Sequence, residues 1–125
     1  MYVAGRVDIG AVVSFAAPIR SRKVHTGRGG GAASMEQAEM AARLREFELG
    51  DELSNVKHAL ILHGDMDEIV PFDNMQEIYA RLGEPRRFIV QKGGDHFMSR
   101  RVDQIEFVRE AAVWLAAALA PAPMA

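Results

Sequence analysis

Apolar and polar positions along this chain fall into blocks whose periods separate strands from helices. Two runs, Gly10 to Ala16 (G-A-V-V-S-F-A) and Ala59 to Leu62 (A-L-I-L), are apolar or small at nearly every position, so neither has a polar face. Short runs of this kind suit strands covered on both sides, as in a parallel sheet. A third and shorter run is Phe88-Ile89-Val90. Between the second and third, Met75, Ile78, Tyr79 and Leu82 recur at helical spacing and place one apolar stripe on an amphipathic helix, which Gly83 and Pro85 end. Ser34 with Gln37 forms a capping-box pattern and predicts a helix to about Leu49, with Ala38, Ala41, Leu44 and Phe47 or Glu48 along one side and Gly50 as its stop. Asp103 with Glu106 predicts the cap of a last helix. Its apolar side includes Ile105, Val108, Ala112, Leu115 and Leu119, and Pro121 bars its extension.

The predicted order is strand, loop, helix, strand, helix, strand, helix. Alternation of this kind specifies the α/β class: a parallel sheet of about three strands, flanking helices and right-handed crossovers. The 125 residues allow one domain at most. Met1 to Val7 reads as the tail of a helix, with Gly5 at its C-terminal end, and Asp51 to His58 as a polar connector into the second strand. From Arg20 to Ala33 the chain is basic and then rich in glycine (Gly27, Gly29, Gly30, Gly31). A phosphate-binding loop would need Lys-Ser or Lys-Thr after the last glycine, and a dinucleotide loop would need a preceding strand. With neither present, this stretch is expected to be a flexible connector.

Composition narrows the classes further. A formal net charge of −2 leaves no electrostatic footprint for nucleic acid, and the short Arg20-Ser21-Arg22-Lys23 cluster reads as a solvated loop. The absence of cysteine excludes disulfides, thiolate zinc sites and a cysteine nucleophile. Ile9 to Ile19 superficially suits a signal peptide. However, Asp8 abuts it, Ser14 interrupts it, Pro18 closes it, and it is rich in small and β-branched residues without leucine. It reads as a strand, and the chain as cytoplasmic, with no membrane span.

The candidate chemistry lies in two loops. Past the Ala59–Leu62 run the chain breaks at His63-Gly64 and places Asp65, Asp67 and Glu68 close together before Pro71. After the third strand come Gly93-Gly94-Asp95-His96-Phe97. Open α/β sheets bind ligands at the carboxyl ends of their strands, and right-handed crossovers bring both loops to that edge. An Asp that accepts from a His ring N–H fixes the tautomer and stabilises the imidazolium formed in proton transfer, so Asp67 and His96 are candidate catalytic acid and base. The plainer alternatives are that Asp67 caps the next helix and His96 is a hydrogen-bonded loop residue. A metal held by His63, Asp65, Asp67 and His96 is a lesser reading, so no metal and no cofactor is expected. His63 reads as a positioned structural residue, His25 and His58 as solvent-facing, Asp95 as shaping its loop, and Met66 and Phe97 as walls of a cleft.

With those residues in hand, 59 to 115 resembles the C-terminal part of an α/β-hydrolase, most closely the dienelactone-hydrolase and prolyl-oligopeptidase-like group. In that superfamily a strand commonly ends in a pattern like L-I-L-H-G-x-x-D-x-x-V-P, matched here by Leu60 to Pro71. A following helix and strand lead to a G-x-x-H-type loop, matched by Gly93 to Phe97. The resemblance places the triad acid on Asp67 and the catalytic base on His96, and implies serine hydrolysis of an ester or small amide. The final helix, ending around Trp114-Leu115, also matches. Gly10 to Pro18 is similar, more weakly, to the strand after the nucleophile helix.

The departure from the pattern is equally definite. The family's nucleophile sits in a G-x-S-x-G elbow. None occurs in these 125 residues, and Ser14, Ser21, Ser34, Ser54 and Ser99 all lack that context. The chain is therefore expected to act on a small-molecule ester or amide only when completed by an N-terminal half, and to be inactive alone. The competing reading is a non-catalytic assembly fragment. No charge or proline blunts the edge of the Gly10–Ala16 strand, so self-association through it is expected.

Overall fold

The computed structural model describes Gly5, residues 8–20 and residues 48–121. Three strands, β1 (Val12–Phe15), β2 (Ala59–Gly64) and β3 (Arg86–Gln91), form a parallel sheet with β2 in the centre. The register pairs Val12 with Ala59, Phe15 with Leu62, Ala59 with Arg86 and Gly64 with Gln91. β1 is shorter than expected, because Ala16 turns into the left-handed region at φ 50°. β2 is longer. His63 and Gly64 do not break it, since they pair with Val90 and Gln91 before the chain turns.

Alternation along β2 divides the core into two layers. All six of its residues are buried. Ala59 and Ile61 join Ile19, Leu49, Leu53, Val56, Met75, Ile78 and Leu82 in one apolar cluster on the face covered by helix α1 (Asp73–Arg81). Met75 and Ile78 are the buried stripe that the sequence spacing requires, and Leu82 closes the helix. The segment before β2, expected as a polar connector, contributes a 3-10 turn at Asp51–Asn55 that drives Leu53 into this cluster. Arg86 at the start of β3 donates to the Tyr79 and Leu82 carbonyls (2.5 and 2.9 Å), placing a cation at the C-terminus of α1 where the helix dipole favours it.

Leu60 and Leu62 point to the opposite face, which helix α2 (Arg101–Ala118) covers. The expected apolar side of this helix is not the one that packs. Ile105, Val108 and Leu119 are exposed, whereas Phe107 meets Phe15 edge-on at 6.2 Å and Trp114 donates its Nε1–H to the His58 carbonyl at 2.7 Å. The helix is apolar on several sides, so periodicity could not choose among them. The aromatic contact and the indole hydrogen bond choose. His58, expected to face solvent, is half-buried at φ 52° with its carbonyl taken. Asp103 does not cap the helix either. It is buried inside the first turn, where the Arg100 guanidinium holds it through two bonds (2.7 and 2.8 Å).

Arg20 belongs to the ordered fold rather than to a solvated loop. It forms a β-bridge with Glu48, and its guanidinium bonds Glu48 at 3.0 Å and both oxygens of Glu77. Glu48 and Leu49, expected as the end of a helix, sit in this bridge, with the Leu49 amide donating to the Ile19 carbonyl at 2.8 Å. The rest of that helix, the Gly-rich stretch, His25 and nearly all of the Met1–Val7 tail lie outside the described residues. Among the described residues no helix is long and apolar enough to cross a membrane.

Candidate active site

Two loops leave the carboxyl ends of β2 and β3 side by side, and the backbone ties them together. The Asp65 amide donates to the Gln91 carbonyl (3.3 Å) and the Met66 amide to the Gly94 carbonyl (3.0 Å). The Asp65 carboxylate accepts from the Gly93 amide at 2.6 Å. Asp65 therefore joins the loops and does not compete for His96. A Cβ on Gly64 would lie 2.2 Å from the Gly94 carbonyl oxygen, so only glycine permits this approach. Gly93, at φ 72°, takes the turn that carries the second loop back over the first.

Asp67 and His96 meet across this junction. His96 Nδ1 lies 2.9 Å from Asp67 Oδ2. The Asp67 side chain is fully buried, and its other oxygen accepts from the amides of Ile69 (2.9 Å) and Val70 (2.8 Å). These two amides fix the carboxylate's orientation before any proton moves. The helix cap expected as the plainer alternative does not form: α1 begins at Asp73 with Phe72 at its N-cap and no side-chain cap bond, and Asp67 instead closes a turn within its own loop with one oxygen while the other meets His96. A carboxylate accepts, so His96 carries its hydrogen on Nδ1 and turns a lone pair outward on Nε2. The ring is partly exposed, and Nε2 has no hydrogen-bond partner among the described residues.

The surroundings of the pair are divided by polarity. Phe97 packs edge-on to the His96 ring at 5.4 Å and is 74% exposed, and Met66, just before the acid, is 62% exposed. Both side chains are thus exposed, each on the loop that carries one member of the pair. Asp95 turns away to its own loop, where its carboxylate accepts from the hydroxyl and amide of Ser99. Those two bonds, the hydroxyl's first, hold the Asp95 carboxyl below the usual carboxylate range. Ser99 is thereby committed to Asp95, Ser54 bonds the Asp51 carbonyl, and Ser14 sits within β1. Among the described residues no cluster of His, Asp and Glu is arranged to hold a metal.

Sequence reasoning left the reach of His63 unspecified. Its Nε2 lies 2.8 Å from the Val70 carbonyl and 3.4 Å from Asp67 Oδ2, and its ring is sealed from solvent. The available signal was its place at the end of an otherwise apolar strand. A polar ring buried there must bond to whatever the next loop folds back.

No protein-family model matches this chain, and no curated protein is significantly similar to it in sequence. Solved structures are similar. The esterase domain of a Rhodothermus marinus protein superposes with a TM-score of 0.68 at 22% identity, over 92% of this chain and 55% of that one. A Mycobacterium tuberculosis puromycin-hydrolyzing peptidase gives 0.67 at 16% identity, over 98% of this chain and 20% of that one. A thermophilic esterase of Thermogutta terrifontis gives 0.53 at 16% identity, over 93% and 46%. The chain thus spans about half the length of the first and a fifth of the second. Together with the three-stranded parallel sheet and its helices, these likenesses show an α/β-hydrolase fold covering its C-terminal part.

Proposed function

We propose that this chain carries the acid and base of a serine hydrolase that cleaves an ester or small amide bond, with Asp67 as acid and His96 as base. The observation that carries this reading is the contact of His96 Nδ1 with a buried, amide-anchored Asp67 while Nε2 stays open. In such chemistry Nε2 takes the proton of a serine hydroxyl as the serine attacks the carbonyl carbon. It then gives that proton to the leaving alcohol or amine. The imidazolium between these steps is stabilised by Asp67, whose charge costs little reorganisation because Ile69 and Val70 already hold it. The sequence motif favours a dienelactone-hydrolase or prolyl-oligopeptidase-like relation, and the neighbours described as esterases and as a puromycin-hydrolyzing peptidase support ester or amide chemistry.

The serine and the oxyanion donors are to come from polypeptide beyond these 125 residues, in which no G-x-S-x-G elbow occurs. The 125-residue chain by itself should therefore neither hydrolyse p-nitrophenyl esters nor label with a serine-directed fluorophosphonate. Mass spectrometry of the treated chain checks this. Stoichiometric labelling of Ser14 or Ser99 would overturn the assignment.

An assembly role is the second reading, and the free edge of β1 favours it. The amides of Val12 and Ala16 donate toward β2, so Val13 and Phe15 turn their backbone groups to the other side, where no strand pairs among the described residues. A second copy of this chain fits that edge, because V-V-S-F run antiparallel to itself sets Val13 against Phe15 without opposing charges. Sedimentation at several concentrations should give a dimer that Val13→Lys weakens at least about tenfold in Kd. A monomer at all concentrations would remove this reading.

A further inference from the structure

We propose that His63 is a positioning residue for the acid–base pair, holding the Asp67 loop in the conformation that offers Oδ2 to His96. The inference rests on the functional reading of Asp67 and His96 given above and extends it to a third side chain.

His63 is the fifth residue of β2 and has no solvent-accessible surface. Its Nε2 is 2.8 Å from the Val70 carbonyl oxygen. A carbonyl only accepts, so Nε2 carries the hydrogen and Nδ1 is left with a bare lone pair. Nδ1 is buried and has no hydrogen-bond partner. An unpaired buried acceptor is unfavourable, and leucine or phenylalanine would fill this position without one. The ring's polar role here is therefore the Nε2–H.

That N–H acts on Asp67 in two ways. Through Val70, it grips the carbonyl of the same residue whose amide is bonded to Asp67 Oδ1 at 2.8 Å, so Val70 is held from both ends and the carboxylate cannot swing without moving it. Directly, Nε2 stands 3.4 Å from Asp67 Oδ2, too long for a strong hydrogen bond yet close enough for its N–H dipole to favour negative charge on the oxygen that His96 uses. Phe72, just beyond Pro71, meets the His63 ring edge-on at 5.9 Å and an interplanar angle of 89°, which fixes the ring's orientation. The geometry thus forms a chain from His63 to Val70 to Asp67 to His96.

The test uses the 125-residue chain labelled with 15N-histidine, observed by NMR at a pH where the imidazoles are neutral. Ring 15N shifts and the downfield Nδ1–H resonance report which nitrogen of His96 bears the proton. In the unaltered chain the Nδ1–H form of His96 should dominate. Its absence would sink the Asp67–His96 pair itself, a failure distinct from that of this inference. His63→Leu removes the donor and fills most of the space, whereas His63→Gln can present an amide N–H at similar reach. Expected is at least about a threefold fall in the ratio of Nδ1–H to Nε2–H tautomer at His96 in the Leu variant, with the backbone amide spectrum otherwise folded, and substantial recovery in the Gln variant. A folded Leu variant with an unchanged ratio overturns the proposal, as does a Gln variant that behaves like Leu. Should Leu fail to fold, His63→Asn, too short to reach Val70, takes its place. Unfolding of both Leu and Asn while Gln stays folded would assign His63 to stability alone and overturn the positioning role.

Discussion

Replacing Gly64 by alanine should cost about 3 kcal/mol or more of stability and separate Asp67 from His96 in whatever folded population remains. The added Cβ would lie 2.2 Å from the Gly94 carbonyl oxygen, 2.5 Å from its carbon and 3.1 Å from the Asp95 nitrogen. All three are backbone atoms, so no rotamer change relieves the contact. The loops would have to part, and the Met66-to-Gly94 bond at 3.0 Å and the Asp65-to-Gly93 bond at 2.6 Å would go with them. Gly10→Ala is the matched control. Its Cβ meets only Leu119 Cδ2, the tip of an exposed side chain that can rotate, so the effect should stay below about 1 kcal/mol. Urea unfolding of the two variants checks the stability difference, and the His96 Nδ1–H resonance checks the pair. Equal stabilities would mean that the loops are not held by this approach.

The second large effect is expected at Asp67, where two substitutions separate its anchoring from its charge. Asp67→Ala leaves the Ile69 amide and the buried Val70 amide without their acceptor and His96 without a partner. Unpaired buried donors cost about 1–3 kcal/mol each, so a loss of roughly 2–5 kcal/mol is expected. Asp67→Asn keeps an oxygen for the two amides but turns an NH2 group toward His96, which can no longer donate from Nδ1. Its stability should fall by only about 1 kcal/mol, while the preferred His96 tautomer reverses. Denaturant melts and ring 15N shifts measure both outcomes. An Asn variant that retains the Nδ1–H form would show that another group orients His96. In a complete hydrolase, the same Asn substitution should lower turnover by about 10⁴-fold, because the base would then present the wrong nitrogen to the serine.

Much of the site was legible in the sequence, and the reasons are local. A-L-I-L before H-G-D-M-D identifies a strand buried on both faces and followed by carboxylates, and parallel topology carries that loop and the Gly93–Phe97 loop to one sheet edge. The α1 stripe of Met75, Ile78 and Leu82 was equally readable, since one helix face is apolar and the other is not. Where the pattern was degenerate, the chain alone could not decide. α2 is apolar around much of its circumference, and its packing face is set by the aromatic contact of Phe107 with Phe15 and the Trp114 bond to His58. Asp103 had the form of a cap, yet Arg100 draws it inside the first turn.

The sequence by itself determined the three strands and their parallel order, the helices α1 and α2, and the two residues offered as acid and base. Each depends on periodicity or on neighbours a few positions away. Tertiary structure alone decided how those residues are held. Asp67 divides its oxygens between the Ile69 and Val70 amides and His96, His63 reaches across seven positions to the Val70 carbonyl, and Gly64 yields its side-chain space to Gly94 from a different loop. These contacts join groups distant in the chain or folded back by a turn. Their energies come from burial and hydrogen-bond geometry, which exist only once β2 and β3 lie side by side.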